Sequence, residues 1–437
     1  MQRLDIGIDG YNLAMPRGTG IATYGHTLGH VLQEAGHSIT GVFGLHVGHD
    51  PALRETMFFD RVGQEATGKR IFGGKWQRRL RSWHATIDQR LEADAVEVPL
   101  THRVDKQVFA ERLPAFDRIV SSPGLFPLAM RYFNAHSRFL TLRMERPPAI
   151  MHWTYPVPVR LEGACNIYTV HDLVPLRLPY TTLSDKPQFA RLLRGCVSEG
   201  DHLCTVSDFS RADIIDRCGI APDFITNTYQ TALLPAEIEA ETWEESARQV
   251  EGLFGLRARG YFLFFGAVEP KKNIGRLLEA FLGLGLETPL VLVGGRAWLS
   301  EGELSLLPAN DPRIIRLDYL GRKALLRLMR AARAVLFPSI FEGFGLPVLE
   351  AMQIGTPVLT GNGSSLPEVA GKAALLVDPY STAAIAHGIA RLDADEGLRT
   401  ALSEAGPLQA ARFRPQAYLP RLEKMYAAVL AGVPTSG

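Results

Sequence analysis

The sequence predicts an α/β protein made of two Rossmann-like, doubly wound domains that face each other across a cleft. Three observations favour this fold class. The 437 residues exceed what one ordinary hydrophobic core holds. Short apolar runs alternate with amphipathic stretches, as in a parallel sheet wrapped by helices. A polar segment rich in Glu and Ala, Ala236–Arg248, interrupts this alternation, which then restarts.

Apolar runs of strand length recur through the first half. A helix is predicted over Ile21–Ala35, and another after Ser207, which is expected to act as its N-cap. The strands predicted in this half are Leu4–Ile8, Ile39–Phe43, Arg118–Ser121, Ala149–His152, Cys165–Val170 and His202–Val206.

The second half repeats the pattern, and Pro415–Leu430 follows it as a predicted helix that could pack back on the first domain. The expected domains are residues 1–255, residues 256–412 and a final segment, residues 413–437. Ligands bind at the carboxyl ends of parallel strands, so functional residues are expected in the loops directly after strands. The strands predicted here are Tyr261–Phe265, Pro289–Val293, Arg313–Leu317, Ala334–Phe337 and Pro357–Thr360.

Composition narrows the class of protein. A hydrophobic content of 46% and a charged content of 21% are typical of a globular protein. The net charge of +1 argues against a nucleic-acid partner. No apolar run approaches the ~20 residues of a membrane helix, and the N-terminus does not resemble a signal peptide. A cytoplasmic protein is expected, with reduced thiols at Cys165, Cys196, Cys204 and Cys218.

The segment Phe337–Met352 carries the most information. A strand ends at its start, a loop containing Gly343 and Gly345 follows, and a helix begins near Leu346. The free N–H groups and the positive dipole end of such a helix can bind a phosphate, and the glycines allow close approach of a ligand to the backbone.

Two carboxylates lie in the same segment. Glu342 stands in the loop and Glu350 lies one turn into the helix, so the two could contact separate parts of one elongated ligand. An isolated pair of this kind would more often be a loop carboxylate and a charge on a helix surface. The order of strand, glycine loop and helix favours a ligand site instead.

Two further junctions in the second half follow the same plan. The strand Tyr261–Phe265 leads to Gly266 and then to Lys271 and Lys272, where a cation beside a helix start can neutralise a diphosphate leaving group. Solvated lysines are the alternative. The strand that ends at Val293 leads to the pair Gly294 and Gly295, a weak signal alone, since many α/β strands end in this way.

The first half offers a glycine turn and a histidine. Gly18, Thr19 and Gly20 precede a helix and could bind an anion or a sugar hydroxyl, but Thr23 replaces the third glycine of a dinucleotide fingerprint. His171 follows a buried strand. A lone histidine usually serves packing, whereas its position at a strand end favours a functional role.

The basic, tryptophan-containing stretch Lys69–Arg90 has two interpretations. A solvated helix face is the default. An interfacial helix that docks on anionic lipid near a lipid-linked acceptor is the other.

These motifs together resemble the family 4 glycosyltransferases (glycosyl transferases group 1), which are retaining enzymes with the GT-B fold. Phe337–Met352 is similar to their Glu-x7-Glu signature. The resemblance implies that Glu342 contacts the donor sugar and that Glu350 binds the ribose. The backbone of Phe344, Gly345 and Leu346 would then hold a sugar hydroxyl and phosphate.

The resemblance extends to the other junctions. It implies donor contacts for Gly18, Thr19, Gly20, Gly266, Gly294, Gly295 and Tyr319, catalytic roles for His171 and Lys272, and phosphate binding by Lys272 with Lys271. The chain departs from the family pattern in three places. Lys271 replaces an arginine and so loses a planar fork of donors, Ala267 replaces a second arginine of some relatives, and Asp318 stands where glycine is common.

The resemblance further implies transfer of a hexose from a nucleotide-diphosphate sugar to a glycan or a lipid-linked saccharide, with no cofactor and no metal. The variants of the motifs are most similar to bacterial O-antigen, capsule or exopolysaccharide mannosyltransferases, which makes GDP-mannose the expected donor. UDP-glucose, UDP-galactose and dTDP-rhamnose stay open. So do three rival functions: a nucleotide-sugar epimerase on this fold, a nicotinamide oxidoreductase, and an inactive sugar-nucleotide-binding protein.

Overall fold

A computed structural model describes residues 3–15, 20–62, 91–101, 103–105, 109–110, 112–182, 185–267, 269–294, 311–318 and 320–432. The strands in these ranges are β1 Asp5–Asp9, β2 Ser38–Phe43, β3 Glu92–Asp94, β4 Val96–Val98, β5 Arg118–Ser121, β6 Leu140–Arg143, β7 Ile150–Trp153, β8 Val159–Leu161, β9 Cys165–Thr169, β10 His202–Thr205, β11 Ile225–Asn227, β12 Phe262–Phe265, β13 Leu290–Val293, β14 Ile314–Leu317, β15 Ala334–Phe337, β16 Val358–Gly361 and β17 Leu375–Val377.

Helices connect these strands. The α-helices in the same ranges are α1 Gly20–Glu34, α2 Arg54–Arg61, α3 Leu125–His136, α4 Val174–Arg177, α5 Lys186–Glu199, α6 Asp208–Cys218, α7 Ala236–Ala240, α8 Trp243–Phe254, α9 Ile274–Gly283, α10 Arg322–Ala331, α11 Leu346–Gln353, α12 Leu366–Ala370, α13 Thr382–Ala394, α14 Glu396–Ala410 and α15 Pro415–Leu430.

Two large sheets organise the chain. The first has the order β11-β10-β9-β7-β1-β2-β5-β4, and the second has the order β14-β13-β12-β15-β16-β17. Neighbouring strands run parallel throughout, except that β4 is antiparallel to β5. A small sheet, β3-β6-β8, completes the first half. Parallel strands covered by helices are buried on both faces, which explains why the central strands are continuous apolar runs.

The strand predictions are confirmed, since every predicted strand is present with each end within one residue of the expected position. The sequence pattern missed β3, β4, β6, β8, β11 and β17. These strands have three or four residues, and β3 is largely exposed. Such short runs carry no clear hydrophobic period, so tertiary pairing determines their strand geometry.

The polar segment Ala236–Arg248 is helical. It contains α7 and the first part of α8, and it packs on α10 of the second half. Arg327 pairs with Glu241 at 2.8 Å, and Arg330 donates to the carbonyl oxygen of Ile238 at 2.7 Å. The high proportion of Glu in this segment therefore serves ion pairs between helices as well as solvation.

The last helix, α15, packs on the first sheet. The hydroxyl of Tyr426 lies 2.6 Å from Nδ1 of His152 on β7, and Glu423 lies 3.4 Å from Nε2 of His37. Tyr426 and His152 are both fully buried. In the described ranges, no helix is both long enough and apolar enough to cross a membrane.

Candidate active site

Glu342 and Lys272 meet at the carboxyl edge of the second sheet. Glu342 lies in the loop between β15 and α11 and is 7% exposed. Its Oε1 atom accepts hydrogen bonds from Lys272 Nζ at 2.7 Å and from Ser339 Oγ at 2.5 Å. The sequence assigned both charged residues to one ligand site, and the structure brings them into direct contact.

The charges around Glu342 keep it ionised. Burial by itself would raise the pKa of Glu342, but the charges of Lys272 and Lys271 and the two hydrogen bonds outweigh burial, so its pKa is lowered. Burial likewise acts to lower the pKa of Lys271, yet the carboxylates of Glu342, Asp172 and Glu269 raise it overall. Lys271 and Lys272 are therefore held as ammonium groups among the carboxylates of Glu342, Asp172 and Glu269, and an ammonium group can pair with an anionic ligand.

The turn that carries the lysines is fixed by Asn273. This residue adopts a left-handed backbone conformation with φ of +61°, and its side-chain amide donates to the carbonyl oxygens of Pro338 and Pro379 at 3.1 and 2.6 Å. The backbone N–H of Ile340 donates to the carbonyl oxygen of Lys271 at 2.8 Å. These bonds hold the turn after β12 against the loop after β15.

Gly343 brings the first half of the chain to the site. A Cβ atom at Gly343 would lie 2.6 Å from the carbonyl oxygen of His171, so only glycine permits this approach. Ser207, which caps α6 as predicted, donates its hydroxyl to the carbonyl oxygen of Gly343 at 2.8 Å. The hydroxyl of Ser210 donates to His171 O at 3.0 Å.

His171 follows β9 and lies beside this contact. Its Nε2 atom is 2.9 Å from the carbonyl oxygen of Thr154, and its ring stands edge-on to Tyr24 of α1 at 4.9 Å. Burial lowers the pKa of His171 despite opposing effects from the Thr154 carbonyl and Asp172. The imidazole is therefore neutral at pH 7 and suited to hydrogen bonding rather than to charge neutralisation.

The start of α11 has the geometry that the sequence predicted. Gly345 caps it with φ of +104°, and Ser365 Oγ donates to the carbonyl oxygens of Glu342 and Phe344, both at 2.9 Å. Leu346 is the first residue of the helix. These hydrogen bonds hold the backbone of the loop between β15 and α11 in place.

Glu350, one turn into α11, is 5% exposed. Its Oε1 atom pairs with Arg322 Nη2 at 2.8 Å. The same guanidinium nitrogen donates to the carbonyl oxygen of Leu233 at 3.2 Å. Glu350 is thereby tied to the segment that joins the two sheets.

The glycine pair after β12 and β13 forms a close backbone contact. Gly266 has φ of +133° and Gly294 has φ of +148°. A Cβ atom at Gly294 would lie 2.1 Å from Gly266 O. This contact requires glycine at position 294, and the positive φ favours glycine at position 266, a backbone reason that the sequence interpretation did not include.

The remaining sequence predictions lie at the edge of the described ranges or outside them. Gly20 is the first residue of α1 and is exposed, one turn before Tyr24. Gly18, Thr19, Gly295, Tyr319 and the basic stretch Lys69–Arg90 lie outside the described residues. Their predicted contacts remain predictions.

Sequence reasoning did not predict the contacts of several polar residues at the site. Ser339 and Arg322 bind the two carboxylates of the motif. Glu368 of α12 accepts from the backbone N–H of Asp208 at 2.8 Å, at the start of α6, and so joins the two halves. Ser339 directly follows a strand and a proline, a position that could have been noticed. The others depend on tertiary contacts without a local sequence signal.

In the described ranges, no group of three His, Cys, Asp or Glu side chains converges in a way that could hold a metal ion. The positive groups at the site are Lys271, Lys272 and the start of α11. Such positive groups can bind a diphosphate, and carboxylates such as Glu342 and Glu350 can accept hydrogen bonds from hydroxyl groups.

The chain is similar to several known proteins. A family model described as Glycosyl transferases group 1 matches residues 256–409. The O-antigen chain mannosyltransferase B of Escherichia coli is 35% identical over 264 residues, which make up 59% of this chain and 68% of the relative. A D-inositol 3-phosphate glycosyltransferase of Acidothermus cellulolyticus is 29% identical over 385 residues, covering 80% of this chain and 83% of the relative.

A solved structure shares the whole fold. Sucrose-phosphate synthase from Thermosynechococcus elongatus matches with a TM-score of 0.65 over 98% of this chain and 100% of that chain, at 17% identity. The predicted GT-B fold is thus confirmed. A relative 35% identical over 68% of its length, together with the family model on the second sheet, shows that the chain belongs to the glycosyl transferases group 1 family and is a glycosyltransferase.

Proposed function

We propose that this glycosyltransferase transfers mannose from GDP-mannose to a glycan or lipid-linked saccharide in the synthesis of a bacterial surface polysaccharide, with retention of anomeric configuration. The observation that carries the proposal is the Lys272–Glu342 contact beside the start of α11. The resemblance of the chain to an O-antigen mannosyltransferase supports mannose as the sugar.

Each group has a chemical task in the proposed reaction. Lys272, Lys271 and the N–H groups of Phe344, Gly345 and Leu346 bind the diphosphate. The bond between the sugar C1 and the phosphate oxygen breaks, and a bond from the acceptor oxygen to C1 forms on the same face. The acceptor proton passes to the departing diphosphate. Positive charge near the leaving group lowers the barrier because negative charge grows there in the transition state.

The two carboxylates divide the recognition of the donor. Glu342 accepts hydrogen bonds from hydroxyls of the transferred sugar, and Glu350 accepts those of the ribose. His171, which is neutral, forms a hydrogen bond to the sugar near the reacting carbon. Gly20, Gly266 and Gly294 allow the backbone to approach the donor, as do Gly18, Thr19, Gly295 and Tyr319 by the family resemblance.

The two domains bind different substrates. Residues 1–255 bind the acceptor, residues 256–412 bind the sugar nucleotide, and residues 413–437 return to the first domain. The contacts of α15 with β7 support the last assignment. We further propose that the reaction needs no metal and no cofactor, because the lysines and the helix start supply the positive charge that a metal would otherwise supply.

The protein is proposed to act in the cytoplasm, with Lys69–Arg90 in contact with the inner membrane near a lipid-linked acceptor. Liposome sedimentation tests this contact. Binding to anionic vesicles that falls with salt and with neutral substitution of the basic residues supports it, and equal sedimentation of the wild type and the neutral variant rejects it.

An inositol phosphate is the second candidate acceptor, since the inositol-phosphate glycosyltransferase relative aligns with 80% of this chain. Parallel transfer assays with a mannoside and with inositol 3-phosphate distinguish the two. Each assay follows release of the nucleoside diphosphate, and release without any acceptor would instead favour an epimerase or simple hydrolysis.

Thermal stabilisation tests the donor. The wild type and Glu350→Ala are heated with GDP-mannose, UDP-glucose, UDP-galactose, dTDP-rhamnose and NADH, because a ligand that binds the native state raises the midpoint of unfolding. A shift with GDP-mannose that is lost in the variant supports the proposal. A shift with another sugar nucleotide would identify that compound as the donor. A shift with NADH alone would reject the assignment as a glycosyltransferase of this donor class.

A further inference from the structure

Asp9 is a fully buried carboxylate at the carboxyl end of β1. Its Oδ2 atom accepts from the backbone N–H of Thr154 at 2.5 Å and from Thr154 Oγ1 at 2.8 Å, and its Oδ1 atom accepts from Tyr11 N–H at 3.2 Å. In the described part of the chain no cationic side chain pairs with it, and burial raises its pKa. A buried carboxylate without a cation is costly, which calls for a compensating role.

Thr154 joins Asp9 to His171. Its backbone N–H and hydroxyl both donate to Asp9, and its carbonyl oxygen accepts from His171 Nε2 at 2.9 Å. The sheet explains this alignment, because β7 lies between β1 and β9 with parallel pairing on both sides. Asp9 at the end of β1, Thr154 after β7 and His171 after β9 therefore stand side by side at one edge of the sheet.

The contact with Thr154 determines the tautomer of His171. A carbonyl oxygen can only accept a hydrogen bond, so Nε2 carries the proton in the neutral ring, and Nδ1 is an acceptor. Among the described residues, Nδ1 has no hydrogen-bond partner. A ligand hydroxyl can donate to it, whereas a ligand carbonyl cannot.

We propose that Asp9 is a positioning residue, which holds Thr154 so that its carbonyl oxygen fixes His171 in the tautomer with Nδ1 free to accept from a sugar hydroxyl. The assignment rests on the proposed function, because it gives His171 a hydroxyl-bearing ligand. Asp9 acts through Thr154 and does not itself contact the sugar.

Asparagine cannot replace Asp9 in this arrangement. Three donors converge on the two oxygens of Asp9, two from Thr154 and one from Tyr11. An asparagine side chain has one oxygen and one NH2 group, so at least one of the two oxygen positions would place donor against donor. Even with its oxygen turned to Thr154, asparagine lacks the negative charge that strengthens both hydrogen bonds, so we expect Thr154 to be held less firmly and the histidine tautomer to be less strictly fixed.

The first test measures the tautomer directly. The ring nitrogens of 15N-histidine-labelled protein are observed by NMR, and the signal of His171 is assigned by its loss in His171→Asn. The wild type should show a protonated Nε2 and an unprotonated Nδ1, and Asp9→Asn should show a mixture. The proposal is overturned if the protonation of the two ring nitrogens of His171 is the same in Asp9→Asn as in the wild type, or if Nδ1 carries the proton in the wild type. This readout needs no substrate, so it stands apart from the proposed transfer reaction.

The second test measures kcat for sugar transfer in a double-mutant cycle. Asp9→Asn should lower kcat at least about tenfold, the scale found when the partner that orients a histidine is removed. Asp9→Asn should cause little further loss in a His171→Ala background, since the two act as one unit. Full additivity of the two losses would mean that Asp9 only stabilises the fold, and would reject the proposal.

Controls separate positioning from folding. Asp5→Asn is matched, because Asp5 lies on the same strand and its carboxylate also accepts from a threonine hydroxyl, Thr40 Oγ1, at 3.0 Å, away from the site. It should keep the tautomer and kcat of the wild type. If Asp9→Asn does not fold, Thr154→Val removes one of the donors and should give a partial effect, and Thr154→Ser should restore wild-type behaviour. Equal results for the two Thr154 variants would contradict the proposal.

Discussion

Lys272 Nζ lies 2.7 Å from Glu342 Oε1, and this contact joins the turn after β12 to the loop after β15. Both side chains are largely buried, at 14% and 9% exposure. The pair therefore contributes to the structure of the site as well as to its chemistry, and removal of one partner has consequences for folding.

Lys272→Met leaves the Glu342 carboxylate buried without its nearest cation. We expect a loss of about 3 kcal/mol in the free energy of unfolding, the scale for a broken buried pair. Glu342→Leu should also destabilise, and the double variant should recover most of the loss, while all three lose transfer. Thermal unfolding at pH 7 measures this. Lys323→Met is the control, because its 2.7 Å pair with Glu237 is exposed and should change stability by less than ~1 kcal/mol.

Gly343→Ala should hold the two halves apart. The added Cβ would meet the carbonyl oxygen of His171 at 2.6 Å, and backbone cannot move aside as a side chain can. Each half should keep its own fold, since the obstructed contact is between them. Small-angle scattering should report a larger radius of gyration, with lower transfer activity. Gly363→Ala is the control, because its Cβ would meet its nearest atom at an ordinary 3.5 Å, and its radius of gyration should match that of the wild type. A wild-type radius of gyration for Gly343→Ala would contradict the close contact.

Stability should fall on acidification from pH 6.5 towards 4. Burial lowers the pKa of His152 to about 3 and that of His202 to about 4, whereas the unfolded chain takes up these protons near 6.5. Between these values the unfolded state binds more protons, so stability rises with pH and is fully present above 6.5. Each histidine should contribute ~1.4 kcal/mol per pH unit in this window.

The midpoint of thermal unfolding at pH 7.5 and pH 5.0 checks this slope. His202→Asn removes one buried histidine and should lose less stability than the wild type over this interval. The substitution of an exposed histidine, His387→Asn, is the control and should follow the wild type. A steeper fall in His202→Asn would show that the sign is wrong.

The product formed from GDP-α-mannose should carry an α linkage. Proton NMR of the product made with a synthetic mannoside acceptor reads its anomeric configuration. The yield should not change in EDTA, because protein groups neutralise the diphosphate in the proposed mechanism. A β-linked product would reject retention, and loss of activity in EDTA that returns with a divalent cation would reject the metal-free mechanism.

The sequence predicted the central strands and the loops that follow them because these features are local. A fully apolar run such as Phe262–Phe265 is recognisable without its neighbours. The same holds for Glu342, Gly345 and Leu346, which share one strand, loop and helix. The chemical roles proposed for these residues came from the resemblance to a known family. The similarity to known proteins confirms that the chain belongs to this family.

Partners that are distant in sequence could not be predicted. Ser207 contacts Gly343 across 136 positions, and Asp9 contacts Thr154 across 145. Each depends on strand order or on how the two halves meet, neither of which leaves a local pattern. The ion pair of Glu350 with Arg322 was missed for the same reason, since both residues are ordinary charges on helices when read separately.

Calorimetric titration with GDP-mannose and with GDP alone tests the proposed division of roles between Glu342 and Glu350. The wild type, Glu342→Gln and Glu350→Ala are compared. Glu350→Ala should weaken the binding of both ligands by about tenfold or more, the cost of losing a hydrogen bond to a charged group. Glu342→Gln should weaken only GDP-mannose. Equal losses of affinity for both ligands in both variants, or unchanged dissociation constants, would show that the two carboxylates do not divide these roles.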